Sequence, residues 1–189
     1  MRPMWPRRLR PSSTGLPQTI AIIGAGPLGR ALALRAARAG YTVFLEDVMP
    51  SNLHHAQEYI RLQLSPAALP SVAFVSTVED AVRSADLVID CVPDELESKL
   101  EILWLLDRMA PPHAIFVTPT TTQSIADLAG CTYRPDKCVA IAAEPTALAQ
   151  CDGGAIYLRV IAETASETVA LVSSFWTELG FDPRFESTT

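Results

Sequence analysis

The chain has 189 residues, of which 49% are hydrophobic and 19% are charged, and its formal net charge is −6. This length fits one ordinary domain with a substantial core, and the composition excludes an intrinsically disordered protein. Because nucleic-acid phosphates require a basic face, a chain this acidic is not expected to bind nucleic acid. Charged residues interrupt every apolar run well before the roughly 18 residues that a membrane helix needs, so we expect no membrane partner.

Residues 1–18 differ from the rest of the chain because they contain four arginines, four prolines and no acid. This composition favours a disordered basic tail, or residues translated from an upstream start, before a single domain at residues 19–189. An arginine-rich segment without acids is also typical of a targeting peptide. However, this segment has no apolar core, and its prolines oppose an amphipathic helix, so we favour the tail.

The four cysteines do not form the pattern of a metal site. Cys91, Cys131, Cys138 and Cys151 contain no C-x-x-C pair, and no histidines stand at ligand spacing beside them, so we expect no metal. Cys91 lies in an apolar run, where a free thiol acts as a small hydrophobic side chain. A disulfide among the other three stays open, but the pattern favours a reduced, cytoplasmic protein.

The predicted elements alternate between strands and helices along the chain. An apolar strand at Thr19–Ile23 opens the domain, and a leucine- and alanine-rich helix follows at 28–39, with Gly40 suited to end it. Later strands are expected at 42–45, 72–75, 86–92, 114–117, 139–143 and 155–162. Later helices are expected at 54–64, 78–83, 95–109, 124–129 and 166–179, the last capped by Ser166. The alternation predicts an α/β fold, Rossmann-type and doubly wound, with a mostly parallel sheet and helices on both faces.

A glycine-rich turn lies between the first strand and the first helix. Its residues, which form the pattern G-x-G-x-x-G, are Gly24, Ala25, Gly26, Pro27, Leu28 and Gly29. The first glycine allows a tight turn, the second lets backbone N–H groups approach a pyrophosphate, and the third lets the helix pack closely on the strand. The helix N-terminus adds partial positive charge. Since acidic Glu46 and Asp47 follow about 20 residues later, the turn predicts dinucleotide binding.

The loops after the predicted strands should meet at one crevice, since doubly wound sheets bind ligands at the carboxyl ends of their strands. The glycine turn, Asp47, the turn at 92–93 and the loop at 118–122 all lie at such ends. We therefore expect them to surround the dinucleotide, although the sequence separates them.

Two longer blocks carry a resemblance to a known family. The first is IAIIGAGPLGRALALRAARAGYTVFLED, and the second, more particular block is SADLVIDCVPDELESKLEILWLLDRMAPPHAIFVT. The second block is similar to the strand–helix unit ADLVIEAVPE…K and the PPHAI turn of the 3-hydroxyacyl-CoA dehydrogenases. From Ile20 to about Phe185 the chain thus resembles the NAD-binding, N-terminal domain of that family. The resemblance implies NAD as the cofactor and a relation to oxidoreductases of fatty acid metabolism.

The resemblance also implies roles for individual residues. Asp47 matches the carboxylate that binds the ribose hydroxyls, which favours NAD over NADP because a 2′-phosphate would be repelled. Cys91, Val92 and Asp94 match positions that line the cofactor groove. Lys99 matches a lysine that reaches toward the bound ligands, although a surface lysine on a helix fits the pattern as well.

The catalytic positions of the family are only partly matched. Thr121 matches a hydroxyl that helps to polarise the substrate carbonyl, or it caps its loop. The family's general acid and base is a histidine in an H-F-F-N-P segment, but residues 140–145 read AIAAEP, and Arg159 replaces the glutamate that holds that histidine. Glu144 is either a substitute base or a loop acid. Pro119 stands where the family has an asparagine near the nicotinamide, and it can donate no hydrogen bond.

Two larger parts of the family's enzymes are also expected to be absent. The helical hairpin implicated in holding CoA is reduced to residues 65–71, and the all-helical second domain would begin only after Phe185. The sequence therefore favours a stand-alone NAD-binding protein without dehydrogenase activity, in a redox-sensing or scaffolding role. The alternative is an oxidoreductase for 3-hydroxyacyl-CoA or a related small hydroxy substrate, either completed by a partner chain or using Thr121 and Glu144. An acyl-CoA ligand is implied by the resemblance alone.

Overall fold

A computed structural model describes residues 17–187, in which eight strands form one sheet. The predicted basic tail at 1–18 falls outside the described residues except for Pro17 and Gln18. The strands are β1 (Thr19–Ile23), β2 (Thr42–Glu46), β3 (Val72–Val75), β4 (Leu87–Asp90), β5 (Ile115–Pro119), β6 (Cys138–Ile141), β7 (Gly154–Val160) and β8 (Phe181–Ser187). The helices are α1 (Pro27–Arg38), α2 (Pro50–Arg61), α3 (Val78–Val82), α4 (Leu96–Met109), α5 (Ile125–Gly130), α6 (Pro145–Gln150) and α7 (Ser166–Glu178).

The strands lie in the order β3-β2-β1-β4-β5-β6-β7-β8. Neighbouring strands run parallel, except that β6 and β7 are antiparallel. The predicted α/β fold with a mostly parallel, doubly wound sheet is therefore confirmed. The strand order reverses between β1 and β4, and a crevice forms at the carboxyl ends of the strands at such a switch point. The loops after β1 and β4 flank this crevice.

Each face of the sheet has its own apolar core, because side chains alternate along a strand. Ile20 and Ile22 of β1 point into the core on the side of α1 and α7, which includes Trp176. Ala21 and Ile23 point into the core on the side of α3 and α4. Residues 20–23 of β1 and all of β4 are buried between the two cores, so the strands that end at the crevice are packed on both faces.

Helix α1 begins and ends where its local sequence dictates. Pro27 occupies the first turn, where its fixed φ suits a helix and its missing N–H breaks no intrahelical bond. Ala39 is the C-cap, and the next residue, Gly40, has a φ of +88°, which suits glycine and ends the helix near the predicted place. The helix therefore points its N-terminus at the carboxyl end of β1.

Some elements differ from the prediction. Helix α2 begins at Pro50 rather than at residue 54, and helix α6, which begins at Pro145, was not predicted. Both prolines stand in the first helical turn, a signal for a helix start that outweighs proline's usual role as a breaker. The N-cap of α7 is Ala165, with no side-chain hydrogen bond, so the prediction that Ser166 caps this helix is wrong. Strand β8, which contains Pro183, was not predicted.

Three further features of the described residues are their helix lengths, their possible metal ligands and their cysteines. No helix within residues 17–187 is both long enough and apolar enough to cross a membrane. Across the same range, no three histidine, cysteine or acidic side chains gather as metal ligands would. All four cysteines lie in the described part of the chain, and each is free. The cytoplasmic location stays a prediction.

Candidate functional site

The glycine turn joins β1 to α1 at the carboxyl ends of the strands, where the crevice opens. Gly24 has a φ of +101°, which disfavours any side chain, and a Cβ there would lie 3.1 Å from the carbonyl oxygen of Cys91. A Cβ on Gly29 would lie 1.8 Å from the carbonyl oxygen of Gly24, so glycine alone lets α1 approach the turn. Gly26, the N-cap of α1, faces open space, with nothing within 4 Å of its Cβ position. This exposed backbone at a helix N-terminus is suited to an anionic group.

A cleft of about 500 Å³ opens beside this turn, between the ends of β1, β2 and β4 and helix α4. Its apolar wall includes Val48, Val78, Val92, Ile102 and Leu105. Its carboxylates are Glu46, Asp47 and Glu101. Among residues 17–187, no lysine or arginine lines the cleft. The cleft brings together three of the loops that the sequence places at the crevice, but not the loop at 118–122.

Asp47 lies at the end of β2 and is 8% exposed. Its Oδ2 accepts hydrogen bonds from the backbone N–H of Ala25 at 2.9 Å and from Nδ2 of Asn52 at 3.1 Å. Its Oδ1 accepts from the backbone N–H of Met49 at 2.8 Å. The carboxylate thus ties the glycine turn to β2. Because each carboxylate oxygen can accept two hydrogen bonds, Oδ1 keeps capacity for a ligand hydroxyl.

Glu46 precedes Asp47 and is only 2% exposed. Its backbone carbonyl accepts from the N–H of Gly24 at 2.8 Å, while its side chain lines the cleft. Its buried Oε1 has no hydrogen-bond partner among the described residues. Burial, together with the negative charge of Asp47, raises the pKa of the Glu46 carboxyl to about 7. Sequence reasoning named this residue beside Asp47 but gave it no role of its own, although the alternation from Phe44 places it on the α4 face of the sheet.

A second polar cluster lies at the carboxyl ends of β4, β5 and β6. Asp94 accepts hydrogen bonds from the hydroxyl of Thr120 and, at 2.9 Å, from the N–H of Thr121. Oγ1 of Thr121 donates to Oε1 of Glu144 at 2.8 Å. Burial alone would raise the pKa of Asp94, but the hydrogen bonds from both threonines and the charge of Lys99 lower it overall. Asp94 therefore acts as an ionised acceptor that orders the loop after β5.

Arg159 of β7 lies beside this cluster, because Ala140 and Arg159 are register partners in the antiparallel pair of β6 and β7. Its guanidinium donates a hydrogen bond to the carbonyl oxygen of Thr120. Its Nε is buried and has no partner among residues 17–187. Arg159 and Asp94 thus both hold the loop after β5 through hydrogen bonds to Thr120.

Residues 19–143 match the sequence model of a family described as "3-hydroxyacyl-CoA dehydrogenase, NAD binding domain". The chain belongs to this family. The family that the sequence suggested, and NAD as its cofactor, are thereby confirmed.

Individual relatives of this NAD-binding domain are moderately similar. The probable 3-hydroxybutyryl-CoA dehydrogenase of Bacillus subtilis is 29% identical over 133 residues, which is 64% of this chain and 46% of the relative. The 5-formyl-3-hydroxy-2-methylpyridine 4-carboxylate 5-dehydrogenase of Mesorhizobium japonicum is 28% identical over 179 residues, 88% of this chain and 56% of the relative. A solved 3-hydroxyacyl-CoA dehydrogenase structure from Archaeoglobus fulgidus has a TM-score of 0.76 and 26% identity, covering 91% of this chain and 57% of that one. The chain spans about half the length of the curated relatives it matches.

The predicted cofactor residues of this NAD-binding domain other than Lys99 occupy three places. Those that line the cleft are Gly24, Gly26, Asp47, Cys91 and Val92. Those in the turn and the start of α1 that do not line it are Ala25, Pro27, Leu28 and Gly29. Asp94 belongs instead to the second cluster, together with Thr121. Their contact with a cofactor remains a prediction.

Lys99, the remaining predicted cofactor residue of the domain, is not among the residues that line the cleft. It is fully buried in α4, and its Nζ lies 2.8 Å from Oδ1 of Asp90, which is itself 1% exposed. The alternative of a surface lysine is therefore wrong. An amphipathic reading of α4 does not reveal this pairing, because Lys99 and Asp90 lie on different elements.

Proposed function

We propose that this chain binds NAD in the cleft beside the glycine turn and does not by itself oxidise hydroxyacyl-CoA substrates. The open backbone at Gly26, at the N-terminus of α1, carries the binding proposal, because a Cβ there would occupy the space that a pyrophosphate needs. Asp47 would accept hydrogen bonds from the ribose, and the apolar wall would hold the base. Bound NAD supplies a hydride acceptor, while the residues of the chain bind and orient it.

Asp47→Asn is expected to weaken NAD binding about tenfold or more and to lower the ratio of the dissociation constants for NADP and NAD. The reason is that a hydrogen bond to a charged group contributes about 1.5–3 kcal/mol, whereas the negative charge repels a 2′-phosphate. No cation in the described part of the cleft would offset that repulsion. Calorimetric titration of wild type and of Asp47→Asn with NAD and NADP measures this ratio of dissociation constants. An unchanged ratio would contradict the role of Asp47 in selecting NAD.

The proposed lack of turnover follows from the missing acid and base. Moving hydride between an alcohol and a ketone requires a proton to leave or enter the oxygen, so the site needs a group that titrates. The chain has three histidines, and they lie away from residues 140–145: His54 and His55 on α2, and His113 just before β5. Arg159 cannot act as a base, since its guanidinium stays protonated. NAD binding without turnover fits a redox-sensing or scaffolding role.

NAD is expected to raise the melting temperature of the purified chain by about 5–10 °C at a concentration about 100 times its dissociation constant. The same preparation, given NAD and 3-hydroxybutyryl-CoA, should form no NADH. A melting temperature that NAD leaves unchanged would contradict the binding proposal. NADH formation would instead contradict the proposed inactivity and leave the binding proposal intact.

An oxidoreductase that uses Thr121 and Glu144 is the alternative. The 2.8 Å hydrogen bond between them favours it, because it places a carboxylate beside a hydroxyl at the ends of β5 and β6. Glu144 would take the proton, and Thr121 would orient the substrate oxygen. One relative is named for an acyl-CoA substrate and another for a pyridine carboxylate, so both substrate classes should be assayed. Turnover that Glu144→Gln abolishes without lowering the melting temperature would support this alternative.

A partner chain is the second route to activity under that alternative. Acyl-CoA binding, which the resemblance alone implies, would then be expected in the complex with such a partner. Activity that appears in a co-purified complex, and disappears when the chain is isolated, would identify this route.

A further inference from the structure

Glu46 has a nearly fully buried carboxyl group whose Oε1 has no hydrogen-bond partner among the described residues. A buried polar atom without a partner is costly and uncommon in native proteins. The side chain also lines the cleft, so a ligand could supply the partner that the protein does not.

The position of Glu46 indicates which part of a dinucleotide it would meet. Its neighbour Asp47 is directed to the glycine turn, while Glu46 lies on the opposite, α4 face of the sheet. On that face the cleft is apolar, with Val78 and Ile102 among its walls. A purine has apolar faces and polar edges, so it can lie between these walls and present an edge to a carboxyl group. The ribose and the phosphates carry too little apolar surface to fill this part of the cleft.

The charge around Glu46 favours its neutral form. Its register partners in β1 and β3 are apolar Ile23 and Val75. The titratable groups that share the cleft are Asp47 at the end of β2, Glu101 on α4 and Cys91 after β4, while Asn52 of α2 is neutral and α3 contributes Val78. No lysine or arginine of residues 17–187 lines the cleft to stabilise an ionised carboxylate. The pKa of about 7 given above, raised first by burial and then by Asp47, agrees with these surroundings.

We propose that Glu46 reads the adenine base in its protonated form, donating one hydrogen bond to a ring nitrogen and accepting one from the exocyclic amino group. A neutral carboxyl group has one donor and one acceptor, the same pattern with which glutamine pairs with adenine. Ionised Glu46 would lose the donor and keep one hydrogen bond at most. NAD binding near or above neutral pH therefore takes up a proton from solvent. This inference rests on the proposed NAD binding.

The pH dependence of NAD binding tests the inference on the wild-type chain. Above about pH 7.5, the dissociation constant should rise roughly tenfold per pH unit, because only the protonated fraction binds well. Calorimetry at about pH 8 in two buffers of different ionisation enthalpy should show uptake of nearly one proton per NAD. AMP, which carries the base but no nicotinamide, should show the same slope. A dissociation constant for NAD that stays constant with pH, or a slope seen with NAD but not with AMP, would overturn the inference and leave NAD binding standing.

Two variants separate Glu46 from other titratable groups. Glu46→Gln keeps a donor and an acceptor at every pH, so it should bind NAD tightly with no pH slope and no proton uptake. It also removes the cost of ionising a buried carboxyl group, so the free variant should melt higher than wild type near pH 8, which shows that it is folded. Glu101→Gln, the matched control in the same cleft, should keep the slope. A slope that persists in Glu46→Gln would overturn the inference, and no NAD binding by wild type at any pH would overturn the proposed function with it.

Discussion

Replacing Gly26 with alanine is expected to weaken NAD binding by about two orders of magnitude while leaving the fold intact. The Cβ position of Gly26 meets no atom within 4 Å, and its φ of −65° suits any residue, so stability should change by no more than about 0.5 kcal/mol. The added methyl group would occupy the space that the pyrophosphate needs beside the N-terminus of α1. We expect the dissociation constant to rise about 100-fold or more, the equivalent of about 2.7 kcal/mol.

Gly29→Ala is the matched counterpart, because it should affect the fold instead. Its Cβ would lie 1.8 Å from the carbonyl oxygen of Gly24, a backbone atom that cannot swing aside. Helix α1 would have to move away from β1, and overpacking of this kind costs about 1–3 kcal/mol, here at the upper end because a backbone atom is in the way. Urea denaturation gives the change in the free energy of unfolding for both variants, and calorimetry gives their affinity for NAD. If Gly26→Ala bound NAD as tightly as wild type, the pyrophosphate would not lie at this turn.

Lys99→Met is expected to lower the free energy of unfolding by about 3–5 kcal/mol, because it leaves the charge of Asp90 buried without its partner. The ion pair lies wholly inside the protein, with Nζ of Lys99 2.8 Å from Oδ1 of Asp90. Apart from Lys99, the Asp90 carboxylate accepts one long hydrogen bond, from the N–H of Val92 to Oδ1 at 3.3 Å, and its Oδ2 has no hydrogen-bond partner among residues 17–187. Urea denaturation of the variant beside wild type measures the loss.

The double variant Asp90→Asn, Lys99→Met is the control for this prediction. It removes both charges, so it should be clearly more stable than Lys99→Met alone, since replacing a buried ion pair by neutral groups is much less costly than breaking it. A single variant as stable as wild type would contradict the view that the pair is held in a low-dielectric environment. Equal stability of the single and double variants would show that the loss comes from packing rather than from charge.

The sequence predicts the parts of this molecule that depend on local geometry. The glycine turn is an example, because the roles of Gly24 and Gly29 follow from one strand, one turn and one helix. The doubly wound, mostly parallel sheet was also predictable, because alternating strands and helices permit few topologies. Strand β8 was not predictable in this way. Pro183 argues against a strand, but β8 lies at the edge of the sheet, where a missing donor is tolerated.

The candidate site was predictable only in part, because burial of a charged side chain depends on distant elements. Lys99 has the same neighbours in sequence whether it faces water or Asp90 of β4, and packing of α4 on the sheet decides between them. The sequence places Glu46 beside Asp47 as a second acid near the glycine turn, yet the alternation of β2 directs its side chain to the opposite face of the sheet. The hydrogen bond between Thr121 and Glu144 likewise depends on two loops brought together by neighbouring strands.

The antiparallel step between β6 and β7 has a practical consequence for attaching this protein to a surface. Because β7 and β8 run opposite to the first six strands, β8 ends on the side of the sheet where β1 begins. The cleft opens at the opposite ends of the strands, roughly 15–20 Å away along the strand direction. A biotin tag or sensor-chip linker joined at either end of residues 17–187 would therefore lie on the side of the sheet away from the cleft, so immobilised protein can be titrated with dinucleotides without masking the site.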